Sequence, residues 1–335
     1  MRTMEILLPH AGGPEVLVAQ ERELPPVGRH EVLVQMEAAG VMFAEVQMVR
    51  GRYPGQPKFP FVPGYDLVGT VVAAGAEAAF RPGQRVAAMT RTGAWSQHVV
   101  LPSTGLVEVP AGLDSAGAVA LVTNGVTAYQ MVHRAARVRS GSTVLVHGAS
   151  GGVGTLLTQL AVGAGATVIG TASPAKHDAV RAIGGSPLDY HLPDVPARVR
   201  ELAGGGVDAV FDPVGGDGLA QSWRLLAPGG RLVWYGSAST LDNTGWTWAP
   251  GLITLRKMIG WNLRSRLRRD GRRGTLYYIR NATPRFRQDL AAVFSEAVAG
   301  RLDPMVTARY PLAEASTALA ELAGGKVTGK AVLVA

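Results

Sequence analysis

The residues with the most direct chemical meaning are the glycines of 143–154, T-V-L-V-H-G-A-S-G-G-V-G. A backbone approaches a pyrophosphate closely only where side chains are missing, and Gly148, Gly151, Gly152 and Gly154 supply that opening. The first amides of a helix starting within the run, with the positive end of its dipole, then hold the anion. Ala149, Ser150, Gly151, Gly152 and Val153 are therefore candidate phosphate contacts. Taken alone, the G-x-x-G-x-x-G spacing also fits an ordinary tight strand-to-helix connection. Its flanks favour the nucleotide reading. Residues 144–146 form a short apolar run that reads as a buried strand. Leu156, Leu157, Leu160 and Ala164 continue from Val153 at helical spacing, and 167–171 reads as a second strand. Strand, glycine turn, helix and strand make the first unit of a dinucleotide-binding fold.

A second chemical signal is what the chain lacks. It has no cysteine, which excludes disulfides, thiolate-ligated zinc and a cysteine nucleophile. Its seven histidines, at 10, 30, 98, 133, 147, 177 and 191, include no close-spaced pair. A catalytic zinc needs about three good protein ligands, so none is expected. Without a Lewis acid, stabilising an alkoxide is difficult, which favours reduction of a conjugated carbonyl over oxidation of an alcohol. At the end of the second strand, where NAD-preferring domains place an acid for the ribose hydroxyls, the chain reads Ala172-Ser173-Pro174-Ala175-Lys176. A 2′-phosphate would meet a hydroxyl and an ammonium there, so NADPH is expected. The alternative for Lys176 is a solvated lysine in a first helical turn.

The elements that must position these residues read as follows. At 335 residues the chain suggests about two domains, and 47% hydrophobic with 17% charged residues fits a folded globular protein. Residues 1–13 contain no long apolar region with a cleavage site, and no apolar run is long enough to span a membrane, so a cytoplasmic location is expected. Up to about residue 121 the pattern is short extended runs (31–35, 67–72, 84–88 and 97–100) broken by prolines, which suggests a small β-barrel. From 122 strands and helices alternate, with further strands at 209–211 and 231–235, and a parallel sheet covered by helices is expected. After Gly236 the sequence is irregular; 241–278 carries Trp246, Trp248, Trp261 and a cluster of eight of the 33 basic residues. A helix is expected over 285–299, closed by Gly300, then a helix near 313–322 and a last strand at 330–334 that returns to the first domain. The expected domains are 1–121 with 300–335, and 122–299.

These motifs together resemble the zinc-free quinone oxidoreductase, or zeta-crystallin-like, branch of the medium-chain dehydrogenases/reductases. The matching residues run in order: Ala38-Ala39-Gly40-Val41, Gly51-Arg52-Tyr53-Pro54, Pro60-Phe61-Val62-Pro63-Gly64-Tyr65-Asp66, Gly125-Val126-Thr127-Ala128-Tyr129, the glycine turn, Phe211-Asp212-Pro213-Val214-Gly215-Gly216, Pro228-Gly229-Gly230-Arg231 and Gly325-Lys326-Val327-Thr328-Gly329-Lys330. The resemblance implies an α/β chain with a GroES-like β-barrel catalytic domain, a Rossmann doubly wound parallel sheet, a cleft between them and a homodimer. It implies roles for Ser173, Lys176 and Tyr190 at the 2′-phosphate, and for Thr127 near the nicotinamide, where a helix-start cap is the other reading. Gly236, Ser237 and Lys330 are further candidate cofactor contacts. Where zinc-dependent members place ligands, this chain has Met42-Phe43 and Tyr65-Asp66. Tyr53, Tyr65 and Glu45 become the candidate catalytic residues, since an enolate or hydroquinone anion needs a hydrogen-bond donor and then a proton. Tyr53 equally suits a loop tyrosine packed on Pro54. The family commonly has Asn-Phe-x-Asp where this chain has Met42-Phe43-Ala44-Glu45, so Met42 and Phe43 imply a more apolar substrate pocket, suited to a hydrophobic enone.

The net charge of +8 favours an anionic partner. Arg256, Lys257, Arg264, Arg266, Arg268, Arg269, Arg272 and Arg273 stand close together against Asp270. A solvated segment of an arginine-rich chain is the preferred reading; an acyl-carrier protein, a lipid surface or RNA is the alternative. No specific nucleic acid is expected. Within the run, 257–261 resembles the edge strand through which family dimers pair. The segment is also similar to that of vesicle amine transport protein relatives, which supports a second reading: an NADPH-binding adaptor with little turnover.

Overall fold

A computed structural model describes residues 1–241 and 249–335, so Trp246 and Trp248 lie outside the described residues. The chain divides into two units, Met1–Val126 with Arg280–Ala335, and Thr127–Ile279.

The first unit is organised on a seven-stranded sheet. The strands expected at 31–35, 67–72, 84–88 and 97–100 are present as Glu31–Val41, Asp66–Ala74, Arg85–Met89 and His98–Pro102. Glu31–Val41 is the axis. It pairs antiparallel with Asp66–Ala74, with His98–Pro102 along its first half and with Lys330–Val334 along its second. Its near-continuous apolar run, Val32 to Val41 with Gln35 and Glu37 as exceptions, suits a strand packed on both faces. The helix Pro284–Val298, expected in the second domain, packs in this first unit. Phe286, Leu290, Val293 and Phe294 are buried along one face. A Cβ on Gly125 would stand 2.8 Å from Val293, so the close approach requires glycine. The amphipathic spacing was readable, but it does not state which core the face enters.

The second unit is a six-stranded parallel sheet. Its strands are β1 (Thr143–Val146), β2 (Thr167–Ala172), β3 (Ser186–Asp189), β4 (Val207–Asp212), β5 (Leu226–Trp234) and β6 (Arg273–Leu276), in the spatial order β3-β2-β1-β4-β5-β6. The order reverses direction at β1, so loops leaving the carboxyl ends of β1 and β4 part there, which is where such sheets take ligands. The core joins Leu145, Ile169, Leu188, Val210, Leu232 and Trp234 from five strands to helix residues such as Leu219 and Met258.

The basic stretch departs from expectation. Residues 257–261 are not an edge strand but part of the helix Ala249–Arg268. Thr254, Met258 and Ser265 are buried and Trp261 is half-buried, a repeat of four, three and four residues that gives one helical face. Trp261 stacks on Trp223 at 5.6 Å. A five-residue window, K-M-I-G-W, is too short to reveal that period. The edge strand is β6 instead, paired parallel to β5. Among the described residues no helix is long and apolar enough to cross a membrane.

Candidate functional site

The glycine turn hangs from the strands on either side of β1. The His147 amide donates to the Phe211 carbonyl at 3.0 Å, the Gly148 amide to Thr171 Oγ1 at 3.1 Å, and the Ala149 amide to the Thr171 carbonyl at 2.9 Å. Gly148 has φ +67°, a left-handed conformation that favours glycine. The helix Gly152–Gly163 then starts, with Gly151 as its cap residue. A Cβ on Gly154 would lie 2.1 Å from the Gly148 carbonyl oxygen, so that glycine lets the helix pack on the turn. The first helical amides have no intrahelical acceptor and point out of the turn. This cradle, which a side chain would fill, fits a pyrophosphate.

The register of β2 and β3 supplies the rest of the site. Asp189 pairs with Ala172 at the last rung, so Ser173 and Tyr190 leave neighbouring strands side by side. Lys176 follows one turn later, its amide donating to the Ser173 carbonyl at 2.9 Å. Its ammonium is half-buried, and loss of solvent pushes its pKa down. Tyr190 is 52% exposed and lies against His191. Asp189, at the end of β3, accepts from the His191 amide and ring, each at 2.9 Å.

Gly236 and Ser237 follow β5 at the same end of the sheet. A Cβ on Gly236 would stand 2.4 Å from the Pro213 carbonyl oxygen, so the loops after β4 and β5 touch backbone to backbone. Thr127 is 7% exposed. It stands inside a helical run in which π turns at Leu121–Gly125 and Met131–Ala136 flank Val126–Gln130. It is therefore not a helix-start cap, and π turns commonly mark functional segments.

One network went unread in the sequence. His147 Nδ1 lies 3.3 Å from Thr171 Oγ1 and its Nε2 3.3 Å from Ser222 Oγ, while Ser222 donates to Asp212 Oδ2 at 2.7 Å. Asp212 Oδ1 accepts from the amides of Val214 and Gly215 at 2.8 and 3.0 Å. Burial holds the His147 imidazole below its ordinary pKa. The serine donates to the carboxylate rather than to the imidazole, so this is not a nucleophilic arrangement. It ties the loops after β1 and β4 together. His147 and Asp212 were visible in motifs, but Ser222 sits in a helix with no motif of its own.

The remaining candidates lie in the first unit. Tyr53 and Tyr65 meet with their hydroxyls 2.7 Å apart and their rings edge to face, centroids 6.0 Å apart. Tyr65 is 2% exposed and Tyr53 is half-buried, so the outer hydroxyl is held by an inner one. Glu45 belongs to a different cluster. Ala331 pairs with Val41 and Leu67 with Ala39, which sets Lys330 and Asp66 on strands flanking Gly40. A Cβ on Gly40 would lie 2.1 Å from Asp66 Oδ1 and 2.7 Å from Lys330 Nζ. Glu45, from the following helix, accepts from the Met42 amide at 3.0 Å, and Asp66 from the Thr123 amide at 3.1 Å. All three charged side chains are 2% exposed or less. Burial pushes Glu45 up to about 8, against the pull of Lys330, and burial raises Asp66 likewise. Lys330 thus stands with two carboxyls in the first unit. Met42 is half-buried and Phe43 is 38% exposed, both at the start of the helix Phe43–Val49.

Residues 28–111 match the alcohol dehydrogenase GroES-like domain, and residues 185–333 match the family described as zinc-binding dehydrogenase. Among the described residues, no group of three His, Asp or Glu side chains is placed to hold a metal ion. The chain is 34% identical over 335 residues to the quinone oxidoreductase of Pseudomonas aeruginosa, covering 96% of this chain and 97% of that one. It is 35% identical over 241 residues to the human synaptic vesicle membrane protein VAT-1 homolog, covering 70% of this chain; the match spans 61% of that relative's length. The solved Escherichia coli quinone oxidoreductase complexed with NADPH superposes with a TM-score of 0.86 at 26% identity, over 99% of this chain and 100% of that one.

Proposed function

Because the chain belongs to the zinc-free quinone oxidoreductase, or zeta-crystallin-like, branch of the medium-chain dehydrogenase/reductase family, we propose that it is an NADPH-dependent, metal-independent reductase of a quinone or an α,β-unsaturated carbonyl compound. The observation that carries the cofactor half is the corner formed by Ser173, Lys176 and Tyr190, with no carboxylate at the end of β2. NADPH, when bound, supplies a hydride. The glycine turn and the helix Gly152–Gly163 hold its pyrophosphate, and Lys176 neutralises its 2′-phosphate. Lys176→Ala removes a charge-assisted contact of about 1.5–3 kcal/mol, so KM for NADPH should rise roughly 10–100-fold while KM for NADH stays unchanged. Equal preference for the two cofactors in the wild type would sink the assignment.

In the first unit, the Tyr53 hydroxyl donates to the substrate oxygen as negative charge develops, with Tyr65 fixing its direction. Tyr53→Phe should lower kcat by about 10²-fold and leave KM for NADPH within twofold. An unchanged kcat removes Tyr53 from the reaction. Met42 and Phe43 make a hydrophobic enone the preferred acceptor over a small polar quinone. Glu45, enclosed with Lys330 and Asp66, sets the electrostatics of this unit and does not touch substrate.

The match to the VAT-1 homolog supports a second reading, an NADPH-binding adaptor whose basic helix Ala249–Arg268 meets an anionic carrier protein or lipid. NADPH binding without consumption across a panel of quinones and enones favours the adaptor; turnover favours the reductase.

A further inference from the structure

A cavity of about 360 Å³ opens at the amino ends of the parallel strands, the opposite end of the sheet from the glycine turn. Its volume falls at the low end of the range for small-molecule pockets. Val144, Ala209 and Arg231 lie on one row across β1, β4 and β5, and the loop before β1 brings Arg137 and Arg139 to the same opening. The register of β5 and β6 sets Arg273 directly opposite Arg231. Like charges facing each other across strands are destabilising.

The chain does little to offset this. Among the described residues none of Arg137, Arg139, Arg231 and Arg273 makes an ion pair with an acid. Arg231 Nη1 is buried without a hydrogen-bond partner. Burial, then Arg273 and Arg137, push the Arg231 pKa down. The acid in the lining, Asp208, accepts from the Thr143 amide at 2.8 Å. Arg137 takes φ 56° at the end of a helical turn, a position that glycine ordinarily fills, so the chain keeps a guanidinium where the backbone would favour none. A buried, unpartnered guanidinium nitrogen is costly unless something else in the site accepts from it.

We propose that this cavity is a binding site for a dianionic phosphate group carried on a small molecule. Two or more guanidinium forks match the geometry of phosphate oxygens, and a dianion offsets a surplus of cations that one carboxylate cannot. The Ser142 hydroxyl, which accepts from the Arg139 amide at 3.2 Å, adds a donor at the rim. The site is separate from the cofactor corner, because the parallel strands put the two at opposite ends of the sheet.

The test uses NADPH-saturated protein, so that the 2′-phosphate corner is filled. Inorganic phosphate and glycerol 3-phosphate are titrated by calorimetry at constant ionic strength against sodium chloride. One site is expected, weakened at least tenfold in Arg137→Ala/Arg139→Ala and in Arg231→Gln, and retained in Arg2→Ala, which alters an exposed arginine outside the cavity lining. NADPH affinity, measured separately, should be the same in all four proteins. Tighter binding of the ester identifies an organic phosphate, and equal binding identifies the free ion. No binding beyond that of chloride, or equal binding in the cavity variants and the wild type, overturns the proposal. The Arg137 and Arg139 side chains are exposed, so a phosphate-dependent rise in Tm that disappears in the double variant provides a second readout if Arg231→Gln does not fold.

Discussion

Lys330→Met should destabilise the first unit, and increasingly so as pH rises from 5 to 8 and beyond. The lysine is enclosed with Glu45 and Asp66, and removing it leaves two buried carboxyls without a counter-charge. Both carboxyls have folded pKa values raised above their unfolded ones, Glu45 to about 8. Each therefore binds a proton more tightly in the folded state, and its contribution to stability is full below the unfolded pKa. That contribution is lost as pH rises through the window from about 4.5 to about 8. In the wild type Lys330 limits the loss; in the variant nothing does. The gap between the two proteins should therefore open with pH. Denaturation curves at pH 5 and pH 8 check this, and a pH-independent gap would show that packing, not charge, dominates.

Gly154→Ala should weaken NADPH binding by about two orders of magnitude or more. The added Cβ would sit 2.1 Å from the Gly148 carbonyl oxygen and 2.8 Å from the Ala149 Cα. Both neighbours are backbone, so no side chain can swing aside. The helix Gly152–Gly163 must move off the turn, and displacement of its first amides by about 1 Å is enough for a 10²-fold effect. Gly163→Ala, at the far end of the same helix with open space around it, provides the control and should bind normally. Fluorescence titration of both variants decides the matter; parallel affinities would mean that the turn is not the phosphate cradle.

What could be read from the residues alone followed their separation along the chain. The glycine turn, its strand and its helix are contiguous, so spacing was sufficient. The Ser173–Tyr190 corner needed a parallel register that the alternating pattern implies but does not state. The Glu45–Asp66–Lys330 cluster joins residues nearly the length of the chain apart, and only the pairing of Lys330–Val334 with Glu31–Val41 brings them together. The motif Met42-Phe43-Ala44-Glu45 marks Glu45 as a candidate, while its enclosure is a property of the fold. The helix Ala249–Arg268 was missed for the opposite reason: its buried face repeats over a longer window than the one that suggested a strand. The arginines around Arg231 passed as part of a generally basic chain, because cross-strand facing of Arg273 is a property of register.

The pairing of Lys330–Val334 with Glu31–Val41 also orders events during synthesis. Thr127–Ile279 contains all six strands of its sheet, so it can close as soon as it has left the ribosome. The first unit begins earlier but must wait. Its long strand stays open along the second half of one edge, and its buried acids lack their cation, until Lys330–Val334 is made. At about 5–20 residues per second that delay lasts on the order of ten seconds or more. Throughout it the chain carries a finished nucleotide-binding sheet inserted in an unfinished barrel, and the half-built first unit is the segment most exposed to misassociation.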